Sequence, residues 1–167
     1  MEIRTERFVL RQPRERDIGA VVAACQDPVI ARFIPLVPRP YRDEDGRAYI
    51  AAVDRAWEES DERTFAICAD DDVLVGAVTV RLREGGTVGY WLSPEARGQG
   101  VMTEAVRAVV RWAREERGIA QLVLWTHPDN LASQAVAERA GFVRVGLGEH
   151  LPSFEDGTTV GVRFELA

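Results

Sequence analysis

Between Ser93 and Gly100 the hydrophobic pattern of the chain changes period, and that switch limits what it can fold into. Upstream, Thr64–Cys68, Val73–Arg83 and Thr87–Leu92 are runs rich in β-branched and aromatic residues, with the character of strands. Their connections, Asp70-Asp71-Asp72 and Glu84-Gly85-Gly86, carry hairpin turn chemistry, which predicts antiparallel neighbours. Downstream, Val101, Ala105, Ala108, Val109 and Trp112 recur at helical spacing, with Glu104, Arg107, Arg111 and Glu115 on the other side. A long helix ending near Gly118 follows. Hairpin strands feeding one long helix make an α+β arrangement, with a mixed, mostly antiparallel sheet flanked by helices.

The rest of the pattern fits around this junction. Phe8–Arg11 reads as a short strand ended by Pro13, which cannot donate to a ladder. Asp17 is placed to cap a helix carrying Ile18, Val21, Val22 and Cys25, which stops before Asp27-Pro28. The segment from Ile34 to Tyr41 contains Pro35, Pro38 and Pro40 and is expected to be extended or looped. Asp43 opens a second helix that reaches about Ser60. Leu122–Thr126 is a buried strand closed by Pro128, a short helix runs from Leu131 to Gly141, and strands around Phe142–Val145 and Val160–Leu166 finish the chain. No repeat or linker interrupts residues 1–167, so a single domain is expected.

Composition narrows the function. With 27 acidic and 21 basic residues the formal charge is −6, which argues against a nucleic-acid partner and mildly favours a cationic substrate such as an amine. No apolar run approaches the ~20 residues of a membrane span, and the first residues carry no signal-peptide core, so a cytoplasmic protein is expected. Cys25 and Cys68 lack partner histidines at metal spacing; buried thiols, rather than a zinc site or a disulfide, are expected. All the basic residues are arginine and none is lysine. A GC-rich genome is the plainer explanation, and a working reagent that acylates lysine amines is the sharper one.

The stretch Ser93-Pro94-Glu95-Ala96-Arg97-Gly98-Gln99-Gly100-Val101-Met102-Thr103 carries the chemistry. Unpaired N–H groups at a helix start attract anions, Gly98 and Gly100 let an anion approach the backbone, and Arg97 adds a guanidinium fork. These features describe a pyrophosphate site. A P-loop needs a Gly-Lys-Ser/Thr ending, which a chain without lysine cannot supply. A dinucleotide fingerprint would need a glycine where Thr103 stands, within a parallel βαβ unit. A plain glycine turn capping a helix is the bland alternative.

Arg97-Gly98-Gln99-Gly100-Val101-Met102 resembles the coenzyme A loop of the GNAT N-acetyltransferases, with Met102 at a place usually held by Gly or Ala. Met102-Thr103-Glu104-Ala105 and the opening Thr5-Glu6-Arg7-Phe8-Val9-Leu10-Arg11, with Asp17 after it, are similar to the RimJ/RimL-like branch. Asn130-Leu131-Ala132-Ser133 and Glu138-Arg139-Ala140-Gly141-Phe142 resemble the family's later motif. From the residues alone, Asn130 is an N-cap with Ser133 at N3.

The resemblance implies a GNAT fold and acetyl transfer from acetyl-CoA to a primary amine by direct attack. It implies cofactor contacts at Leu92, Arg97, Gly98, Gln99, Gly100, Val101, Met102, Thr103, Asn130 and Ser133. The backbone N–H near Leu92 would face the carbonyl oxygen. Ala137 stands where many members carry a tyrosine that protonates the leaving thiolate, so Ser133 is the expected substitute. A serine hydroxyl is a far weaker acid than a thiol, of pKa about 8.5, so it is expected to hydrogen-bond the thiolate rather than protonate it fully. Glu149 is the candidate base, beside His150; His127 reads as structural, and Tyr90, Trp91 and Trp125 as pocket or core aromatics. The acceptor is a small or peptidic amine, with no metal, nucleic acid or membrane involved; a homodimer is left open. The alternatives are a non-catalytic acyl-CoA-binding sensor or interaction module of the same fold, and transfer of a longer acyl group such as succinyl.

Overall fold

A computed structural model describes residues 1–69, 71–82, 86–150 and 152–166. The strands are β1 (Glu2–Arg4), β2 (Val9–Arg11), β3 (Glu62–Cys68), β4 (Leu74–Arg81), β5 (Thr87–Leu92), β6 (Leu122–Thr126), β7 (Val143–Glu149) and β8 (Val160–Leu166). The helices are α1 (Ile18–Cys25), α2 (Pro28–Phe33), α3 (Asp43–Glu59), α4 (Val101–Arg117) and α5 (Leu131–Arg139). The strands form one sheet of order β1-β2-β3-β4-β5-β6-β8-β7. Every recorded pairing is antiparallel except that of β5 with β6. This is the α+β architecture that the change of period predicts.

Alternation along the strands separates two cores. Phe65, Ile67, Val78, Val80, Val88, Leu124, Val162 and Phe164 face α4, whose Ala105, Val106, Val109 and Ala113 are fully buried against them. Ala66, Cys68 and Leu74 pack with Val21, Ala24, Cys25 and Ile30 of α1 and α2. Cys25 and Cys68 are buried and unbridged, and burial pushes each thiol up to about 11, as expected of inert core residues.

Asp17 does not cap α1. Its side chain makes no cap hydrogen bond to that helix; it accepts instead from Arg14 N–H (2.7 Å) and from Arg11 Nη1 and Nη2 (2.8 and 3.0 Å). Arg11 is itself buried and also donates to Asp72, so a guanidinium wholly inside the protein outcompetes the helix N–H groups for the carboxylate. Two elements go beyond the sequence reading, edge strand β1 and helix α2. Asp27, expected as a stop, caps α2 by accepting from Val29 N–H (3.0 Å), with Pro28 in the first turn. Strand β7 runs past the expected end at Val145, so Glu149 is its last residue. Of the expected hairpin turns, Asp70, Glu84 and Gly85 lie outside the described residues.

Burial pulls the Asp17 carboxyl upward, but the hydrogen bonds from Arg11 and Arg14 outweigh it and hold its pKa below the ordinary carboxylate value. Because the native value is depressed, its stabilisation is present above the unfolded pKa of about 3.9 and is lost as pH falls through the native value. Asp17→Ala leaves Arg11 buried without its main partner and is expected to cost about 3–5 kcal/mol in urea unfolding at pH 7. The variant should also show a flatter loss of stability below pH 4 than the parent.

Candidate active site

The parallel pairing of β5 with β6 covers only Thr87 with Val123 and Val88 with Leu124. Beyond these residues the two strands part. Ser93 N–H donates to Val75 O on the β4 side, whereas Gly86 O accepts from Val123 N–H on the β6 side. By strand alternation, the N–H and C=O of Tyr90 and Leu92 therefore turn toward β6, into the gap. The Leu92 N–H is among the groups so turned.

Two cavities meet there. The first, of about 460 Å³, is lined by α2, by Tyr90–Leu92, by the loop before α4 and by α5. The second, of about 680 Å³, extends over the sheet face under α3 and reaches the β7–β8 connection. Phe33, Ile34, Tyr90, Trp91, Asn130 and Ser133 line both.

At the head of α4, Gly98 and Gly100 are both left-handed (φ +75°), a conformation that costs a side-chain-bearing residue energy. A Cβ on Gly98 would meet nothing within 4 Å, so the loop is open on that side. Glu104 N–H to Gly100 O is the first turn-closing bond, and the N–H groups of Val101, Met102 and Thr103 precede it at the positive end of the helix dipole. A row of amides beside open space suits a diphosphate.

The loop is braced from the start of the chain. Arg7 donates to Glu104 through its Nε (2.7 Å) and backbone N–H (3.1 Å), and to Gln99 O through Nη1 (3.1 Å). Burial raises the Glu104 pKa, but hydrogen bonds from Thr5 and Arg7 prevail and hold it low. Arg97 lines the first cavity, yet its guanidinium donates to Leu92 O (3.0 Å) and to the Asp27 carboxylate. It therefore ties the loop to β5 and to the cap of α2. Gln99 turns its side chain to Glu95 O (2.9 Å) and does not line the cavity. Arg139 of α5 does line it, a placement that no local signal in the sequence indicates.

Asn130 caps α5 as expected, accepting from Ser133 N–H (3.1 Å). The Ser133 hydroxyl meets a partner that the sequence did not disclose. Its Oγ–H donates to the Tyr90 hydroxyl (3.0 Å), and the Tyr90 hydroxyl donates to Ser133 O, also at 3.0 Å. Burial pushes the Tyr90 phenol up to about 12, against the opposing hydrogen bond from Ser133, so it stays protonated. Tyr90 on β5 thus brings a phenol to α5, where Ala137 is buried and carries no acid.

His127 is not a free base. Asp129 N–H donates to its Nδ1 (3.0 Å), which leaves the proton on Nε2 to be donated to Asp156 (3.1 Å). Hydrogen bonds from Thr158, and secondarily His127, hold the Asp156 carboxyl low. Glu149 lines the second cavity, is solvent-exposed, and has no hydrogen-bond or ion-pair partner among the described residues. Trp125 covers the strands beside it: a Cβ on Gly148 or Gly161 would stand 2.7 or 2.8 Å from the indole. Among the described residues no cluster of His, Cys, Asp or Glu is arranged to hold a metal, and no helix is long and apolar enough to cross a membrane.

Residues 7–143 match the profile of the acetyltransferase (GNAT) domain family. The chain belongs to that family. A probable N-acetyltransferase, YjcK, from Bacillus subtilis is 35% identical over 113 residues, 64% of this chain and 62% of that protein. A ribosomal-protein-serine acetyltransferase from Escherichia coli is 26% identical over 108 residues, 62% of this chain and 60% of its own length. These alignments therefore span about three fifths of each relative. A structure of RimL, a ribosomal L7/L12 α-N-protein acetyltransferase, superposes with a TM-score of 0.87 at 18% identity, covering 99% of this chain and 97% of that one. The sheet and its divergent central strands are thus the GNAT fold.

The glycine trough under Trp125 is directly testable. Gly161→Val is expected to push the indole off β8 and to cost roughly 1–3 kcal/mol. Near-ultraviolet circular dichroism and urea unfolding would record the displacement and the loss together.

Proposed function

We propose that this GNAT chain is an acetyl-CoA-dependent N-acetyltransferase acting on a primary amine. The observation that carries the reading is the meeting of the two cavities at the β5–β6 gap, with Ser133 and Tyr90 at their shared edge. The donor's diphosphate fits the amides of Val101–Thr103 and the open side of Gly98, with Arg97 and Arg139 close by. Its acyl arm fits the gap itself, beside Asn130 and Ser133. Acetyl-CoA supplies a thioester carbonyl that a neutral amine attacks; the C–S bond then breaks, CoA leaves as thiolate, and the proton that the nitrogen sheds passes to water.

The residues of the chain then divide the work. The Leu92 N–H faces the position where negative charge develops on the carbonyl oxygen. Glu149 accepts the ammonium proton, directly or through water, so that the amine attacks as a neutral nucleophile. The Ser133 hydroxyl donates to the departing sulfur. In the structure its hydrogen points at Tyr90, but Tyr90 has two acceptors on the same residue, Ser133 O and Oγ, each at 3.0 Å. Rotation about the phenol C–O bond swings the Tyr90 hydrogen from the carbonyl to Oγ while the serine hydrogen swings to sulfur. Two donors in series polarise one another, which strengthens the bond to the thiolate without full proton transfer from serine.

The reading is tested by following free thiol from acetyl-CoA in the presence of a set of primary amines. Tight acetyl-CoA binding without thiol release under any acceptor would leave a binding module and remove the enzyme. Ser133→Ala is expected to lower kcat on the order of 100-fold, and Tyr90→Phe on the order of tenfold, with acetyl-CoA affinity unchanged. If the two act in series, Tyr90→Phe costs nothing further once Ser133 is alanine, whereas independent roles would multiply. Gly100→Trp puts a large side chain on a left-handed residue that lines the first cavity and whose Cβ would stand 3.6 Å from Arg7 Nη2, so it distorts the loop that would hold the diphosphate. It is expected to reduce acetyl-CoA affinity on the order of 100-fold while cooperative unfolding persists.

A further inference from the structure

We propose that the acceptor site takes a primary amine carried on an aromatic body, and this rests on the transferase reading given above. The wall of the second cavity is a continuous run of rings. Phe33 meets His127 (centroids 5.3 Å), His127 meets Phe154 (4.8 Å), Phe154 stacks on His150 (4.6 Å, planes 12° apart), and His150 meets Trp125 (6.1 Å). His127 and Phe154 are buried and back the wall, while Phe33, Trp125 and His150 are half-buried and line the cavity with ring surface that another ring can meet by offset or edge-on contact.

The arc is held in place. His127 has both nitrogens committed, to Asp129 N–H and to Asp156, so its ring is fixed as wall. His150 Nδ1 lies 3.1 Å from Pro152 O. Trp125 lies over Gly148 and Gly161, where any Cβ would collide with it. A wall assembled this way loses little freedom when a ligand docks, so its shape selects among ligands.

The floor is bare where a flat group would lie. Gly89 sits in β5, paired with Thr79 of β4 and one residue beyond the last β5–β6 pair. It is exposed although its strand is central, and a Cβ there would meet nothing within 4 Å. A planar body can therefore rest directly on the backbone between Thr79 and Trp125.

Charge fixes the number of amines. The carboxylates lining the cavity are Glu62 and Glu149. Glu62 is paired with Arg81, which leaves Glu149 for one ammonium. A polyamine or an amino sugar with several cationic groups would lack counter-charges. The same chemistry is offered by a free arylalkylamine and by the N-terminal aromatic residue of a peptide.

The experiment compares 2-phenylethylamine, butylamine, spermidine and two tetrapeptides, one beginning with Phe and one with Ser. Thiol release gives kcat/KM, and quenching of tryptophan fluorescence in the presence of CoA gives binding separately. At least a tenfold preference for 2-phenylethylamine over butylamine, or for the Phe over the Ser peptide, is expected. Whichever aromatic acceptor has the higher kcat/KM identifies the source. Gly89→Leu should erase the preference while the Kd of acetyl-CoA and the Tm stay unchanged. Equal or better use of butylamine or spermidine overturns the proposal, as does a preference that survives Gly89→Leu. Preferential binding of the aromatic amine without any thiol release upholds the ligand class and refutes the transferase reading. Absence of both binding and release refutes the ligand class.

Discussion

Parallel hydrogen bonding between β5 and β6 lasts for two residue pairs, and the shape of the site depends on how early it ends. Had the ladder continued, the backbone of Tyr90 and Leu92 would be spent on β6 and the sheet would close. Ending it costs the backbone hydrogen bonds that the two strands would have exchanged, and exposed polar groups in a sheet interior need other partners. Leu92 O finds one in Arg97, and the gap is bridged by the phenol of Tyr90 reaching α5. A side-chain contact across the opening thus replaces a backbone ladder, which keeps the opening at a fixed width while leaving room beside it.

The first seventeen residues hold this opening from outside. Arg11 and Asp17 form a buried, bidentate pair, joined by Asp72 from the turn between β3 and β4. Arg7 fastens the loop before α4 through Glu104 and Gln99 O. Arginine suits both places, because its planar fork bonds two acceptors at once and stays charged when buried. The opening motif therefore has a physical use: it ties the edge of the sheet to the N-terminal end of α4.

Much of this was legible from pattern alone. The period change at Ser93–Gly100, the α4 stripe and the Asn130 cap are local signals that local physics reproduces. What escaped the sequence depends on tertiary contact. Asp17 has the profile of a helix cap, and only the burial of Arg11 decides otherwise. Asp27-Pro28 ends one helix, but an N-cap aspartate before a first-turn proline is itself a helix-start signal, and α2 begins there. Nothing local says that the Tyr90 hydroxyl reaches Ser133, 43 positions away. Arg97 beside the glycines has the profile of a phosphate grip; in the structure it lines the cavity and donates to Leu92 O and Asp27, because the tertiary fold brings the cap of α2 beside it.

The two cavities share an edge but are lined by different elements, one by α5 and the head of α4, the other by α3 and the β7–β8 connection. For the proposed reaction this geometry sets the traffic of molecules. Donor and amine would occupy separate spaces that meet only at the shared edge, so both can be bound at once. Such a protein would show sequential kinetics, with no acyl group ever resting on the enzyme. Free CoA would compete with the donor and leave the doorway of the amine open.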